Sequence, residues 1–326
     1  MGEDEPSVTA GEIPEGLVVV DKPAGWTSHD VVARIRRLAR TRRVGHAGTL
    51  DPMATGVLVV GIGRATRLLG YISGHDKAYS ATIRLGWATV SDDAAGERTW
   101  GAPADALGRD MVLPAVEALT GPILQRPSAV SAIKVAGRRA HDRVRAGEEV
   151  ELPARPVLVS VFDLVAERAL PDRAALDLDV EVVCTSGTYV RALARDLGEA
   201  LGVGGHLTAL RRTRVGGFHL AEAHELAALE QDLAVIDLSA AARNAFPVLA
   251  VGPAQALAVC HGRPIDLSGV WAPFRELAEG APDWSAVVEP LAVLDEQGSL
   301  LALAAPNPDL TTRYLAVFGT PGFRPT

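Results

Sequence analysis

Residues 175–184, ALDLDVEVVC, place Leu176, Leu178, Val180 and Val182 in alternation with Asp177, Asp179 and Glu181. A period of two over such a length suits only a strand with one face buried. Strands of this kind belong in antiparallel sheets that leave one face open. The stretch therefore rules out an all-helical bundle and a fully parallel sheet for this part of the chain. Other segments agree with it. PVLVSVFDLVAE reads as a second long strand, KAYSATIRLG as a third, and GVLVVGIG, at residues 56–63, as a buried one. GLVVVDK is a strand broken by Pro23 and Gly25, and HLTALRRTRVGGFHL reads as two strands around a turn.

Helices are interspersed singly. DVVARIRRLAR puts Val31, Val32, Ile35, Leu38 and Ala39 on one face and arginines on the rest, with Ser28 as its expected N-cap. GTYVRALARDLGEALG is amphipathic, closes at Gly202 and carries Arg191 and Arg195 on one face. RATRLLGYIS and LPAVEALTG read as short helices, and SAIKVAG as a strand leading into a basic helix, RRAHDRVRAGEEV. No βαβ rhythm repeats. The fold class is therefore α+β, with a mixed, mostly antiparallel central sheet. After a helical stretch at ELAALEQDLAVIDLSAAARNAFP the pattern changes to short strands rich in Gly and Pro: PVLAVG, GRPIDLSG, LAVLDEQGSLLALAAP and TRYLAVF. The expected division is an acidic disordered tail at 1–15, one domain over 16–245, and a small β-domain over 246–326.

The net charge of −8 argues on its face against a polyanionic partner, but its distribution reopens the question. Residues 1–220 hold 27 basic and 27 acidic side chains; residues 221–326 hold 5 and 13. Within the neutral part, bases cluster. Arg34, Arg36, Arg37, Arg40, Arg42 and Arg43 form one group; Lys134, Arg138, Arg139, Arg143 and Arg145 a second; Arg211, Arg212 and Arg214 a third. Three acid-poor clusters leave two readings open on equal terms, solvated helix faces and a surface for a polyanion. No apolar run reaches the roughly 18–20 residues of a membrane helix, and the N-terminus lacks the features of a signal peptide. A cytoplasmic protein is expected, with Cys184 and Cys260 as reduced thiols and no metal site.

VGHAGTLDPMATGVLVVGIG holds one acid, Asp51, with no Lys or Arg beside it. A lone Asp-Pro is ordinarily the start of a turn. The other reading is a carboxylate held at the mouth of a buried strand for nucleophilic or acid–base work. Such a group needs an arginine from elsewhere to balance it, and Arg191 is available. GIGRAT lacks the ending of a phosphate loop and is taken as a tight turn.

These segments together resemble the TruB family of bacterial tRNA pseudouridine synthases. The likeness runs in order over about residues 16–220: DKPAGWTSHDVV, GHAGTLDPMATGVLVVGIGRATR, DKAYSATIRLG, LQRPSAVSAIKVAGRRAHDRVRAG and CTSGTYVRALARDLGEALGVGGHLTALRR. The resemblance implies a pseudouridine synthase domain with a thumb-like segment at about 126–155 and a C-terminal RNA-binding module of the PUA type. It implies that Asp51 is the catalytic aspartate. Tyr79, Arg191, Leu210, His46 and Lys22 would surround the substrate uridine. Arg40, Arg42, Arg43, Arg138, Arg139 and Arg143 would meet the RNA backbone. The implied reaction isomerises uridine at position 55 of the tRNA T-loop, with the base flipped out and no cofactor or metal. Ser128 and His141 depart from the thumb's usual proline and aromatic. The short, non-basic tails and the thumb-like segment favour a stand-alone enzyme over a guide-RNA-directed subunit, and a monomer is expected. A tRNA-folding role beside the chemistry, or in place of it, is the alternative from another class.

Overall fold

The computed structural model describes residues 13–130, 152–271, 289–307 and 311–319, with the backbone of 134–135 and 138–139. Strands β1 (Gly16–Lys22), β2 (Val44–His46), β3 (Thr55–Ile62), β4 (Lys77–Leu85) and β5 (Gly121–Gln125) come first. A separate ribbon, β6 (Lys134–Val135) with β7 (Arg138–Arg139), follows. Then come β8 (Arg155–Leu170), β9 (Ala175–Cys184), β10 (Gly205–Val215), β11 (Phe218–His219), β12 (His224–Glu225) and β13 (Ile236–Asp237). Among the described residues the main sheet has eleven strands, with the path β12-β1-β3-β10-β4-β9-β8-β5. Its pairs are antiparallel except β1 with β12 and β3 with β10. The alternation at 175–184 is thus met by an antiparallel neighbour on each side of β9. Asp177 is buried there because Arg84 donates to both its carboxylate oxygens, at 2.7 and 2.8 Å.

The parallel junction of β3 and β10 is narrow. Gly56 faces Arg212 at φ +99°, and a Cβ there would lie 2.2 Å from the Arg212 carbonyl oxygen. Only glycine permits both the backbone angle and the approach. This junction brings the start of the apolar strand β3 against the middle of β10, where the candidate site lies.

The Ser28–Leu38 helix buries Val31, Val32 and Ile35 against β1 and β3. Its N-cap is Thr27, in a capping box with Asp30, and not Ser28. Ser28 is displaced from that role by a tertiary bond. Its buried hydroxyl donates to the Leu50 carbonyl and accepts from the Leu50 amide. The Val190–Ala200 helix has Arg191 among its buried residues and packs on β10. The Arg109–Ala118 helix starts four residues earlier than the LPAVEALTG reading, with Pro114 inside it. Arg138 and Arg139 form a strand where a helix was expected, and the rest of RRAHDRVRAGEEV lies outside the described residues.

The second sheet runs β14 (Val248–Ala250), β15 (Leu291–Leu294), β16 (Leu300–Pro306) and β17 (Thr312–Val317). GRPIDLSG is not a strand: Ile265 and Leu267 are buried against Trp271 without a pairing partner, which imitates a strand's alternation. Pro253, at the first helical position, opens a helix to Cys260 that the strand reading did not include. The sheet does not pack as an island. Phe246, Leu294, Leu303 and Phe318 share one core with Leu17, Val59, Leu69 and Phe218.

Candidate active site

Asp51 opens a β-turn: its carbonyl accepts from the Ala54 amide, with Pro52 in between. The turn reading is therefore correct, and it does not compete with a functional one. Every neighbouring carbonyl is held. Pro52 O accepts from the Gly25 amide at 2.7 Å and from Lys22 Nζ at 3.3 Å. Ser28 brackets Leu50. Arg212, 1% exposed, donates to Gly48 O and Thr49 O, both at 3.2 Å, and to Val57 O at 2.7 Å. The loop is fixed by its backbone, so the Asp51 side chain remains available.

That side chain meets Arg191, whose Nε lies 2.9 Å from Asp51 Oδ2. The contact is an ion pair rather than an aligned hydrogen bond. Arg191 is nearly buried, whereas Asp51 remains one-third exposed, at 33%. Arg191 also faces Asp93 at 3.6 Å and donates to Ser91 O and Val130 O at 2.9 and 3.0 Å. One cation thus serves two carboxylates and two carbonyls.

Asp51 and Arg191 line a cavity of about 340 Å³ with Tyr79, Leu210, Lys77, Arg155, Tyr189 and Arg212 among its other walls. Tyr79 and Arg212 face each other across β4 and β10. Burial raises the Tyr79 phenol above its ordinary value, so it is a neutral ring at physiological pH. Burial also lowers the Lys77 amine to about 8; its Nζ donates to Ser73 O and His75 O. The volume suits a small ligand or one extruded nucleotide and excludes a duplex.

The structure brings together four of the expected residues: Asp51, Tyr79, Arg191 and Leu210. Lys22 lies behind the wall, 0% exposed, holding Pro23 O, Trp26 O and Pro52 O, and burial lowers its amine to about 8. His46 is on β2, outside the cavity lining and edge-on to His29 at 5.7 Å; burial lowers its imidazole, which keeps it neutral. Arg40, Arg42 and Arg43 are exposed together, with Arg40 at φ +52°. The side chains of Arg138 and Arg139, and Arg143 entirely, lie outside the described residues.

The third basic cluster is not a phosphate surface. Arg211 pairs with Asp21, Arg214 with Asp76, and Arg212 is consumed by carbonyls. Residue reading missed Arg212 and Lys77 as cavity walls; both alternate with or oppose Tyr79 on the sheet, and that register is the signal that could have found them. Among the described residues no cluster of His, Cys, Asp and Glu could hold a metal, and no helix is long and apolar enough to cross a membrane.

The sheet is that of a pseudouridine synthase fold. A solved H/ACA ribonucleoprotein bound to a substrate RNA containing 2'-deoxyuridine superposes with a TM-score of 0.69 at 23% identity, covering 96% of this chain and 88% of that one. A Cbf5-Nop10-Gar1 complex gives 0.68 at 25% identity over 94% and 84%. Residues 36–190 match the N-terminal domain of the TruB family pseudouridylate synthases, and 191–246 the tRNA pseudouridylate synthase B C-terminal domain. The chain belongs to the TruB family. It is 56% identical to tRNA pseudouridine synthase B of Corynebacterium aurimucosum over 88% of this chain and 94% of that protein. The protein of the same name from Thermobifida fusca is 58% identical over 78% and 88%.

Proposed function

We infer that this protein converts uridine 55 in the T-loop of tRNA to pseudouridine, alone and without a guide RNA, in the cytoplasm. The N1–C1′ bond breaks, the uracil turns, and C5 joins C1′. C5 loses a proton and N1 ends with one, so nothing is consumed. The observation that carries this reading is Asp51 paired with Arg191 on the wall of a cavity for one base. Asp51 is the essential carboxylate. Arg191 fixes its orientation from a helix 140 residues away. Tyr79 stacks on the extruded uracil, and a base–aromatic stack is worth about 1–3 kcal/mol. That matches the few kcal/mol needed to unstack a nucleotide. Leu210 closes the apolar side. Arg40, Arg42 and Arg43 hold phosphates, as do Arg138, Arg139 and Arg143. The C-terminal module, residues 246–326, to which the second sheet belongs, is a further RNA contact of PUA type. The tRNA substrate follows from the names of the relatives.

The test is turnover on an unmodified tRNA transcript with no other RNA present. The wild type should form pseudouridine at position 55. Asp51→Asn should bind the transcript within about threefold of wild type and form none. Product from that variant, or no product from wild type, would overturn the reading.

A further inference from the structure

We infer that Asp92 and Arg195 are a positioning pair for the reaction at Asp51, acting through Arg191; the inference rests on the function proposed above. Neither residue lines the cavity. Arg195 stands one helical turn beyond Arg191, and the two side chains make parallel sets of contacts. Arg191 faces Asp93 and donates to Val130 O. Arg195 faces Asp92, at 3.3 Å, and donates to Arg126 O, at 2.7 Å. Two adjacent acids and two carbonyls of the segment leaving β5 are thus clamped by two arginines of one helix.

Adjacent residues of extended chain point to opposite sides. Asp92 and Asp93 reach the same helix because Asp92 takes a left-handed conformation, φ +59°, which a non-glycine residue adopts uncommonly. Asp92 is 6% exposed, and burial raises its carboxyl above the usual range. A buried acid in that conformation is a costly way to fill a turn, and here it supplies a carboxylate to Arg195. Arg195 has a second acid, Asp196, at 2.7 Å, so Asp92 is not needed to neutralise it. What Asp92 adds is direction: it draws Nη1 one way while Nη2 reaches Arg126 O. The Arg126–Val130 segment is then registered so that Val130 O takes Arg191 Nη2, leaving Nε to Asp51. Without Asp92, Arg195 can collapse onto Asp196, the segment loosens, and Arg191 loses a contact opposite Asp51.

Asp92→Asn tests this, because Asn tolerates the left-handed region while removing the charge and one acceptor oxygen. Single-turnover pseudouridine formation on saturating tRNA transcript should fall about five- to tenfold, with Kd for the transcript within about twofold. Arg195→Gln should do the same, and the double variant should be no slower than the slower single. Arg195→Lys should return the rate to within about threefold of wild type. A wild-type rate in Asp92→Asn, whatever its melting temperature, overturns the inference, as does a loss confined to Kd. Inactive wild type would overturn the function itself; active wild type with an unaffected Asp92→Asn overturns only the positioning role.

Discussion

Arg212→Met separates two accounts of one residue. As a member of a basic cluster, Arg212 would hold a phosphate. In the structure it is 1% exposed, forms no ion pair among the described residues, and donates to the carbonyls of Gly48, Thr49 and Val57. Bonds from a charged donor contribute about 1.5–3 kcal/mol each. Methionine forfeits all three but also relieves the burial of a guanidinium, which costs several kcal/mol. The difference is a destabilisation of about 2–4 kcal/mol, read as a lower urea midpoint at an unchanged m-value. Gly48 and Thr49 lie within three residues of Asp51 on the same loop, so their release displaces the carboxylate. A shift of about 1 Å in a reacting group can cost on the order of a hundredfold in rate. Single-turnover assays should show that loss, while the salt dependence of tRNA binding stays as in wild type. The reasoning fails if Arg212→Met unfolds within about 0.5 kcal/mol of wild type and flattens the slope of log K against log salt by about 0.9, the signature of one lost phosphate contact.

Gly56→Ala should destabilise by about 3–5 kcal/mol in thermal unfolding, because the new Cβ meets Arg212 O at 2.2 Å and the backbone sits at φ +99°. Replacing Arg42 and Arg43 together by Ala should flatten the salt dependence of tRNA binding by about one to two in slope and leave the saturated rate intact. Stability should rise with pH between about 8 and 10.5 through Lys22 and Lys77. Both are lowered to about 8 in the fold from 10.5, so over that window the unfolded chain keeps protons that the folded one has lost. Lys77→Met should remove about 1–2 kcal/mol of the gain measured by urea unfolding at pH 7 and 9.5; an undiminished gain would show that Lys77 is not held deprotonated by the fold.

What was legible in the sequence was whatever depends on period. Alternation at 175–184 gave an antiparallel strand, which the structure sets between two antiparallel neighbours, and the apolar face of 31–35 gave a helix on the sheet. What was illegible depends on partners far along the chain. Arg211, Arg212 and Arg214 look free because no acid lies near them in sequence, yet Asp21 and Asp76 come from 190 and 138 residues away. Ile265 and Leu267 alternate as a strand does but only fill space beside Trp271. Spacing also could not match Asp51 to Arg191. That pairing came from ordered motifs resembling a family, and the residues alone offered Arg191 only as a candidate.

The same long-range contacts divide the site into a held backbone and an open side chain, and the two halves should fail differently. Lys22, Ser28 and Arg212 fix the carbonyls and amides on either side of Asp51, whereas its carboxylate meets Arg191 and is otherwise one-third exposed. Lys22→Met takes the donor from Pro23 O and Trp26 O and leaves Pro52 O only its bond from the Gly25 amide, at about 1–3 kcal/mol for each carbonyl that finds no other donor. Stability and rate should therefore fall together in that variant. Asp51→Asn disturbs no backbone bond, so rate should vanish while the unfolding midpoint moves little. If Lys22→Met instead kept full stability and lost only rate, Lys22 would act on the substrate or on Asp51 directly, and the division between support and chemistry would be drawn in the wrong place.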